Sequence, residues 1–134
     1  MTSEHDFGGN DRVRPHRVAV YGTLKRGGSN HRYLRGARFL GRTRLQSIAL
    51  YDLGAYPGAR LEASAGVDVE VYAVNDAGLR RVDWLEEYRP EAPARGTYDR
   101  RWLATPLGPA WVYLYNPPVR GRRRITRGGW SARR

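Results

Sequence analysis

Hydrophobic and polar residues alternate most clearly in the segment VDVEVYAV, Val67–Val74. Its odd-numbered positions are apolar, whereas the even-numbered positions include both acids and Tyr72. This period of two predicts a β-strand with one buried face. Shorter apolar runs predict further strands at Val18–Tyr21, at Phe39–Leu53, which is long enough for two, and in a hairpin of Tyr98–Ala104 and Ala110–Tyr115.

One helix is predicted from Asp76 to about Glu86, with Asn75 as its N-cap, and a shorter helical turn is predicted around residues 30–34. The excess of strands over helices indicates an α+β fold, with a curved or closed sheet against which the helix packs. A chain of 134 residues corresponds to one domain. We expect a flexible leader at 1–16, a folded domain at 17–119, and a basic tail at 120–134 that docks in part through Trp130.

A carboxylate occupies an unexpected position on the predicted helix. At about 100° per residue, Glu86 falls between Leu79 and Val82 on the face that should be buried. In one interpretation the helix frays, and Glu86 turns outward or pairs with an arginine. In the other, Glu86 lies in a partly dry pocket that raises its pKa toward neutrality, as a general base and acid requires. Asp83 is then a structural partner or a neighbouring charge, and Glu87 points into solvent.

The first predicted strand leads directly into the polar, glycine-rich segment YGTLKRGGSNH. One interpretation is an ordinary junction between a strand and a turn. The other is a loop whose amides, at Gly22, Thr23 and Leu24, bind a carboxylate or a developing oxyanion. Gly22 would let the backbone approach such a ligand closely. The segment lacks the spacing of a phosphate-binding P-loop, which argues against nucleotide binding.

Composition narrows the classes of function. The chain has no cysteine and only three scattered histidines, so we predict no disulfide and no metal site. We identify no signal peptide and no membrane-spanning run, and expect a soluble, cytoplasmic protein. The net charge of +11 suggests affinity for phosphates, but every basic residue except Lys25 is arginine, and no nucleic-acid-binding motif is present. We therefore expect no specific nucleic-acid partner.

Five segments, in this order, carry a resemblance to a known family: YGTLKRG with Asn30 and His31, then residues 51–59, 69–88, 98–101 and 111–116. Together they resemble the gamma-glutamylcyclotransferase-like superfamily, in particular the gamma-glutamylamine cyclotransferases, over about residues 18 to 116. One departure is clear. Family members often have glycine directly after the catalytic glutamate, where this chain has Glu87.

The resemblance implies a small mixed β-barrel with flanking helices and a cavity in which the loop of Tyr21, Gly22, Thr23 and Leu24 binds a γ-glutamyl head. It also implies that the residue at the position of Glu86 is the proton acceptor. The implied reaction is intramolecular cyclisation, which releases 5-oxoproline and a free amine or amino acid. The implied partner is a small γ-glutamyl substrate, and neither a metal nor a cofactor is required.

Four tyrosines are candidates for the pocket: Tyr21, Tyr98, Tyr113 and Tyr115. Alternation places Tyr113 and Tyr115 on one face of a strand, and we select Tyr115 as the pocket hydroxyl that binds substrate. The alternative is that these rings only pack in the core. Two other functions remain open from the sequence: a non-catalytic small-molecule binding protein of the same fold, and a basic module associated with nucleic acid. The sequence does not indicate an oligomeric state.

Overall fold

The computed structural model describes residues 12–126 and 128–131, which form eight strands, one α-helix and two 3₁₀ turns. The strands are β1 (His16–Val20), β2 (Arg38–Leu45), β3 (Ala49–Asp52), β4 (Pro57–Arg60), β5 (Val67–Val74), β6 (Tyr98–Leu103), β7 (Ala110–Tyr115) and β8 (Arg123–Ile125). The helix α1 spans Asp76–Leu85, and the 3₁₀ turns span His31–Leu34 and Pro93–Arg95. Most of the predicted leader, residues 1–11, lies outside the described residues.

The strands form two sheets. A five-stranded sheet has the order β2-β5-β1-β7-β6, and a three-stranded sheet has the order β4-β3-β8. β1 lies in the centre of the larger sheet, antiparallel to β5 and parallel to β7. The predicted hairpin of β6 and β7 is confirmed, with Tyr98 opposite Tyr115 and Leu103 opposite Ala110. The long segment 39–53 divides into β2 and β3, which belong to different sheets.

The larger sheet separates two apolar clusters. Val69 and Val71 of β5 belong to one cluster together with Leu50 of β3, so the smaller sheet covers that face. Tyr72 and Val74 of the same strand belong to the other cluster, together with residues of α1. β5 is therefore buried on both faces, and the prediction of a single buried face is wrong. The cause is that α1 and the smaller sheet pack on opposite sides of this strand.

The α+β class is confirmed, but the strands do not close into the barrel that the resemblance implied. Within the described residues, β2 pairs only with β5 and β6 only with β7, so both remain edges of the larger sheet. The basic tail, predicted to dock in part through Trp130, also contributes a strand. β8 pairs with β3, and Trp130 is buried in the same cluster as Leu50. None of the described helices combines the length and hydropathy needed to cross a membrane.

The helix α1 has the predicted start and nearly the predicted end. The side chain of Asn75 accepts a hydrogen bond from the Gly78 amide at 2.7 Å, as expected for an N-cap. Leu79 and Val82 are buried against the larger sheet. This packing fixes the direction of the C-terminal end of the helix, where the candidate carboxylate lies.

Candidate active site

A cavity of about 260 Å³ opens at the end of β1. Six separate parts of the chain form its wall, because the end of β1 faces both the helix terminus and the second sheet. They are the end of β1 with the loop that follows it (19–24), the entrance to β4 (56–57), the C-terminal end of α1 (85–87), the start of β6 (97–98), Asn30, and Tyr113. The YGTL loop and Glu86, far apart in the sequence, therefore lie at one cavity.

The loop of residues 22–24 turns its carbonyl groups inward, toward the rest of the loop. They accept hydrogen bonds from Lys25 N at 3.0 Å, from Asn30 N at 3.0 Å and from His31 Nδ1 at 2.9 Å, the last when Nδ1 carries the proton. No hydrogen bond within residues 12–126 and 128–131 is donated by the three amides of residues 22–24. Orphan amides at a cavity wall require an acceptor, so this loop can bind an anionic group.

A neighbouring side chain restricts the position of Gly22, and the close approach to a ligand stays a prediction. A Cβ atom at this position would lie 2.9 Å from Cγ and Cδ of Pro57. The backbone of Gly22 is not in the left-handed region, so steric room and not conformational freedom restricts the position. The close approach is to the proline of β4, which forms the neighbouring part of the wall.

Glu86 is the C-cap of α1, and its amide donates to Val82 O at 2.9 Å. Its half-buried side chain lines the cavity. Among the described residues, its carboxylate has no hydrogen-bond or ion-pair partner, so pairing with an arginine is not what places it there. Burial raises the pKa of Glu86 to about 8, and the negative charges of Asp83 and Glu87 add to the shift.

Asp83 is both a structural partner and a neighbouring charge. Its carboxylate accepts hydrogen bonds from Nη1 of Arg100, at 2.6 and 2.8 Å, and from the Tyr113 hydroxyl at 2.5 Å. The Arg100 guanidinium also lies over the ring of Trp111, 4.3 Å from its centroid. These contacts join the end of α1 to the β6–β7 hairpin and thereby hold Glu86 at the cavity. Arg100 is not among the site residues predicted from the sequence.

The end of α1 forms a Schellman motif around Glu86. Tyr88 N donates to Asp83 O at 2.9 Å, and Glu87 N donates to Trp84 O at 3.1 Å. Glu87 accordingly has a φ of 55°, the left-handed conformation that glycine adopts most easily. This explains why glycine suits the position after the glutamate. Glu87 is exposed, as expected, but it also lines the cavity.

The four candidate tyrosines differ in whether they line the cavity. Tyr21, Tyr98 and Tyr113 line it, but their hydroxyls are engaged: Tyr21 donates to Tyr113 O at 2.5 Å, and Tyr98 donates to Pro57 O at 2.9 Å. Tyr115 is not among the described residues of the wall; its ring packs edge-on against Tyr98, 5.3 Å between centroids. The selection of Tyr115 as the pocket hydroxyl is therefore not supported. Tyr98, its partner across the hairpin, occupies the wall instead.

Three wall residues escaped the sequence analysis: Tyr56, Pro57 and Thr97. Tyr56 and Pro57 lie at the entrance to β4, a strand that the pattern did not predict. Thr97 immediately precedes β6, where only the apolar residues drew attention. The YDLGAYPGA segment was the available indication for Tyr56 and Pro57, because it is one of the five blocks that carry the resemblance.

The chain has relatives among known proteins. The chain matches the family described as "Gamma-glutamyl cyclotransferase, AIG2-like" over residues 18–132. The chain belongs to this family.

Individual relatives support the assignment over nearly the whole chain. A Vibrio cholerae relative is 42% identical over 119 residues, which are 88% of this chain and 97% of that protein. The "Gamma-L-glutamyl-butirosin B gamma-glutamyl cyclotransferase" of Niallia circulans is 39% identical, over 72% of this chain and 65% of that protein. The solution structure of ytfP from Escherichia coli superposes with a TM-score of 0.66 at 37% identity, covering 87% of this chain and 97% of that one.

The environment of Glu86 predicts how stability depends on pH. Its pKa is about 8 in the folded protein against an ordinary value of 4.5, so the folded state binds more protons between these values. Stability from this group is therefore lost as the pH rises from 4.5 to 8. The Glu86→Gln variant has no carboxyl group to ionise at this position, so it does not lose this stability as the pH rises. We expect this variant to match the parent near pH 4.5 and to exceed it by about 2 kcal/mol at pH 9, a figure reduced for partial exposure to solvent.

Urea denaturation at the two pH values measures this difference in the free energy of unfolding. Glu91→Gln is the matched control, because Glu91 is exposed and is not among the described residues of the cavity wall. A stability difference between parent and Glu86→Gln that stays constant with pH would contradict the proposed burial of the carboxylate.

Proposed function

We propose that this protein is an enzyme that cyclises a γ-glutamyl compound, with Glu86 as the general base and acid. The products are 5-oxoproline and the amine that was attached to the γ-carbonyl group. Family membership supports the class of reaction. The cavity supports the assignment of roles, because it combines orphan amides with an unpaired carboxylate.

The charges of a γ-glutamyl head complement the cavity. Its α-carboxylate accepts hydrogen bonds from the amides of residues 22–24, and its α-ammonium group lies beside Glu86. The approach of this cation lowers the pKa of Glu86 from its raised value, so that the carboxylate is ionised in the complex. The hydroxyls of Tyr21 and Tyr98 donate to backbone carbonyls, and the hydroxyl of Tyr113 donates to Asp83; these bonds keep the cavity in shape.

Two protons pass from the α-nitrogen to the departing nitrogen during the cyclisation. Glu86 first removes a proton from the α-ammonium group, which frees the nitrogen lone pair to attack the γ-carbonyl carbon. A new carbon–nitrogen bond closes the five-membered lactam, and the bond from this carbon to the departing nitrogen breaks. Glu86 then returns the proton to the departing nitrogen as the bond from that nitrogen to carbon breaks. The attacking nitrogen loses its second proton to Glu86, which passes it to the released amine, so the amine leaves as an ammonium ion and the enzyme ends in its initial state. A carboxyl group with a pKa near the working pH is suited to both transfers.

One observation carries the proposal: in a protein with 24 basic residues, the cavity carboxylate of Glu86 has no cationic partner among the described residues. A structural carboxylate would be expected to pair with one of them. Glu86 instead faces a space that also contains three free amides, and a cationic amine from a ligand would supply the missing partner.

The function is tested by incubating the purified protein with γ-glutamyl amines and γ-glutamyl amino acids while assaying 5-oxoproline and the released amine. We expect stoichiometric release of both products from at least one compound. Saturable binding without release would instead indicate a binding protein of the same fold. Salt-sensitive binding of DNA or RNA, with no affinity for any γ-glutamyl compound, would indicate a module associated with nucleic acid.

A further inference from the structure

The wall of the cavity is acidic although the protein is strongly basic. Among the residues that the structure describes, Glu86 and Glu87 are the only charged side chains of the wall, and no lysine or arginine lines it. The net charge of the chain is +11. Arg100 is engaged by Asp83 at the C-terminal end of α1. The wall therefore offers carboxyl groups and no basic side chain, in a molecule whose net positive charge otherwise repels cations.

Glu87 has a conformation that disfavours its residue type. Its φ of 55° places it in the left-handed region, which is strained for a residue with a Cβ atom and unstrained for glycine. The Schellman motif requires this conformation whatever the side chain. A glutamate at such a position, on the wall of a cavity, indicates that the side chain serves a purpose that outweighs the strain.

Neighbouring contacts hold Glu87 in place. Thr97 donates from its hydroxyl to Oε1 of Glu87 and from its amide to the Glu87 carbonyl at 3.2 Å. Gly96 allows this approach, because a Cβ there would lie 2.3 Å from the same carbonyl oxygen. No basic side chain among the described residues forms an ion pair with Glu87. The carboxylate is thus oriented, exposed and available.

We infer that Glu87 selects substrates whose leaving amine carries a second, cationic nitrogen. The inference rests on the proposed function, in which the γ-glutamyl head occupies the space between the loop amides and Glu86. The leaving group then extends past the exposed carboxylate of Glu87. A positively charged nitrogen there gains an ion pair, whereas the carboxylate of a departing amino acid meets a negative charge and no cationic partner. Diamines and other polyamino compounds are the class of leaving group that fits.

Three isosteric substrates test this inference: the mono-γ-glutamyl derivatives of diaminopentane, hexylamine and aminohexanoate, which end in a cation, a methyl group and an anion. For the parent enzyme we expect kcat/KM to decrease in this order. We expect an advantage of about fivefold for the cation over the methyl group, as for a partly exposed ion pair, and a smaller advantage in high salt.

Variants assign the preference to one residue. Glu87→Gln retains an acceptor for Thr97 and should bring the ratio of cationic to neutral substrate close to one, while Glu87→Lys should favour the anionic substrate. Glu91→Gln is the matched control and should keep the parental ratio. Release of 5-oxoproline from all three compounds with equal kcat/KM, unchanged in Glu87→Gln, overturns the inference and leaves the proposed function intact. If none of the three compounds binds to Glu86→Gln, or none reacts with the parent enzyme, both the inference and the proposed function are overturned.

Discussion

Glu86→Gln is expected to lower the release of 5-oxoproline by about 10²–10⁴-fold, the usual contribution of a general acid and base. Glutamine has the same shape and still lines the cavity, but it cannot take a proton from the α-ammonium group. That nitrogen then keeps its proton and has no lone pair with which to attack. The loss should appear in kcat, because the amides of residues 22–24 still bind the α-carboxylate.

Two measurements separate a catalytic loss from a structural one. Calorimetric titration of Glu86→Gln with a γ-glutamyl amine should give a dissociation constant within about tenfold of the parental KM. Glu91→Gln, the exposed control, should retain parental kinetics. If Glu86→Gln turned over at the parental rate, the proton-transfer role would have to move to another group, and Glu87 is the other ionisable carboxylate of the wall.

Strong local patterns in the sequence predicted the central elements of the fold. β5 runs over the predicted Val67–Val74, and α1 starts after the predicted cap, Asn75. In both cases the apolar period and the end signals agree. β4 was missed because PGAR has neither alternation nor β-branched residues. Its pairing with β3 and its burial form this strand, and neither is encoded locally.

Local sequence also does not encode β8 or the closure of the larger sheet, because both depend on tertiary pairing. Arg123–Ile125 is mostly exposed and arginine-rich, so its sequence resembles a solvated tail. It is a strand because β3 provides a partner edge, with Leu50 opposite Ile125. The expectation of a closed barrel came from the resemblance alone. Local sequence does not specify whether two edge strands meet, since that depends on the twist and packing of the whole sheet.

For the candidate site, the helical wheel identified Glu86, because a single carboxylate on an apolar stripe is visible in the sequence. The absence of a partner was not visible, since the chain contains 24 basic residues that could have reached it. Tertiary packing leaves Glu86 without a partner, because it places Arg100 against Asp83. Alternation likewise placed Tyr113 and Tyr115 on one face, but it could not show that Tyr98 lies at the wall in front of Tyr115.

Gly22→Val is expected to abolish detectable substrate binding and to reduce kcat/KM by at least about 10²-fold, as displacements near 1 Å do in catalytic sites. A Cβ at this position meets Cγ and Cδ of Pro57 at 2.9 Å. Pro57 cannot easily yield, because it pairs with Asp52 in the smaller sheet and its carbonyl accepts the Tyr98 hydroxyl. The loop must therefore move, and its three free amides move with it.

The stability of Gly22→Val should fall by about 1–3 kcal/mol, the usual cost of overpacking, so the comparison needs a variant that is destabilised without a change at the cavity. Gly27→Ala provides it: Gly27 lies in the same loop with a φ of 82°, and a Cβ there meets nothing within 4 Å. This variant incurs the strain of a left-handed alanine, about 1 kcal/mol, while residues 22–24 keep their positions. Its kcat/KM should stay near the parental value at a temperature where both variants are folded. Equal losses of activity in the two variants would mean that the loss comes from reduced stability and not from the position of the amides. The hypothesis that this loop binds the γ-glutamyl head would then be wrong.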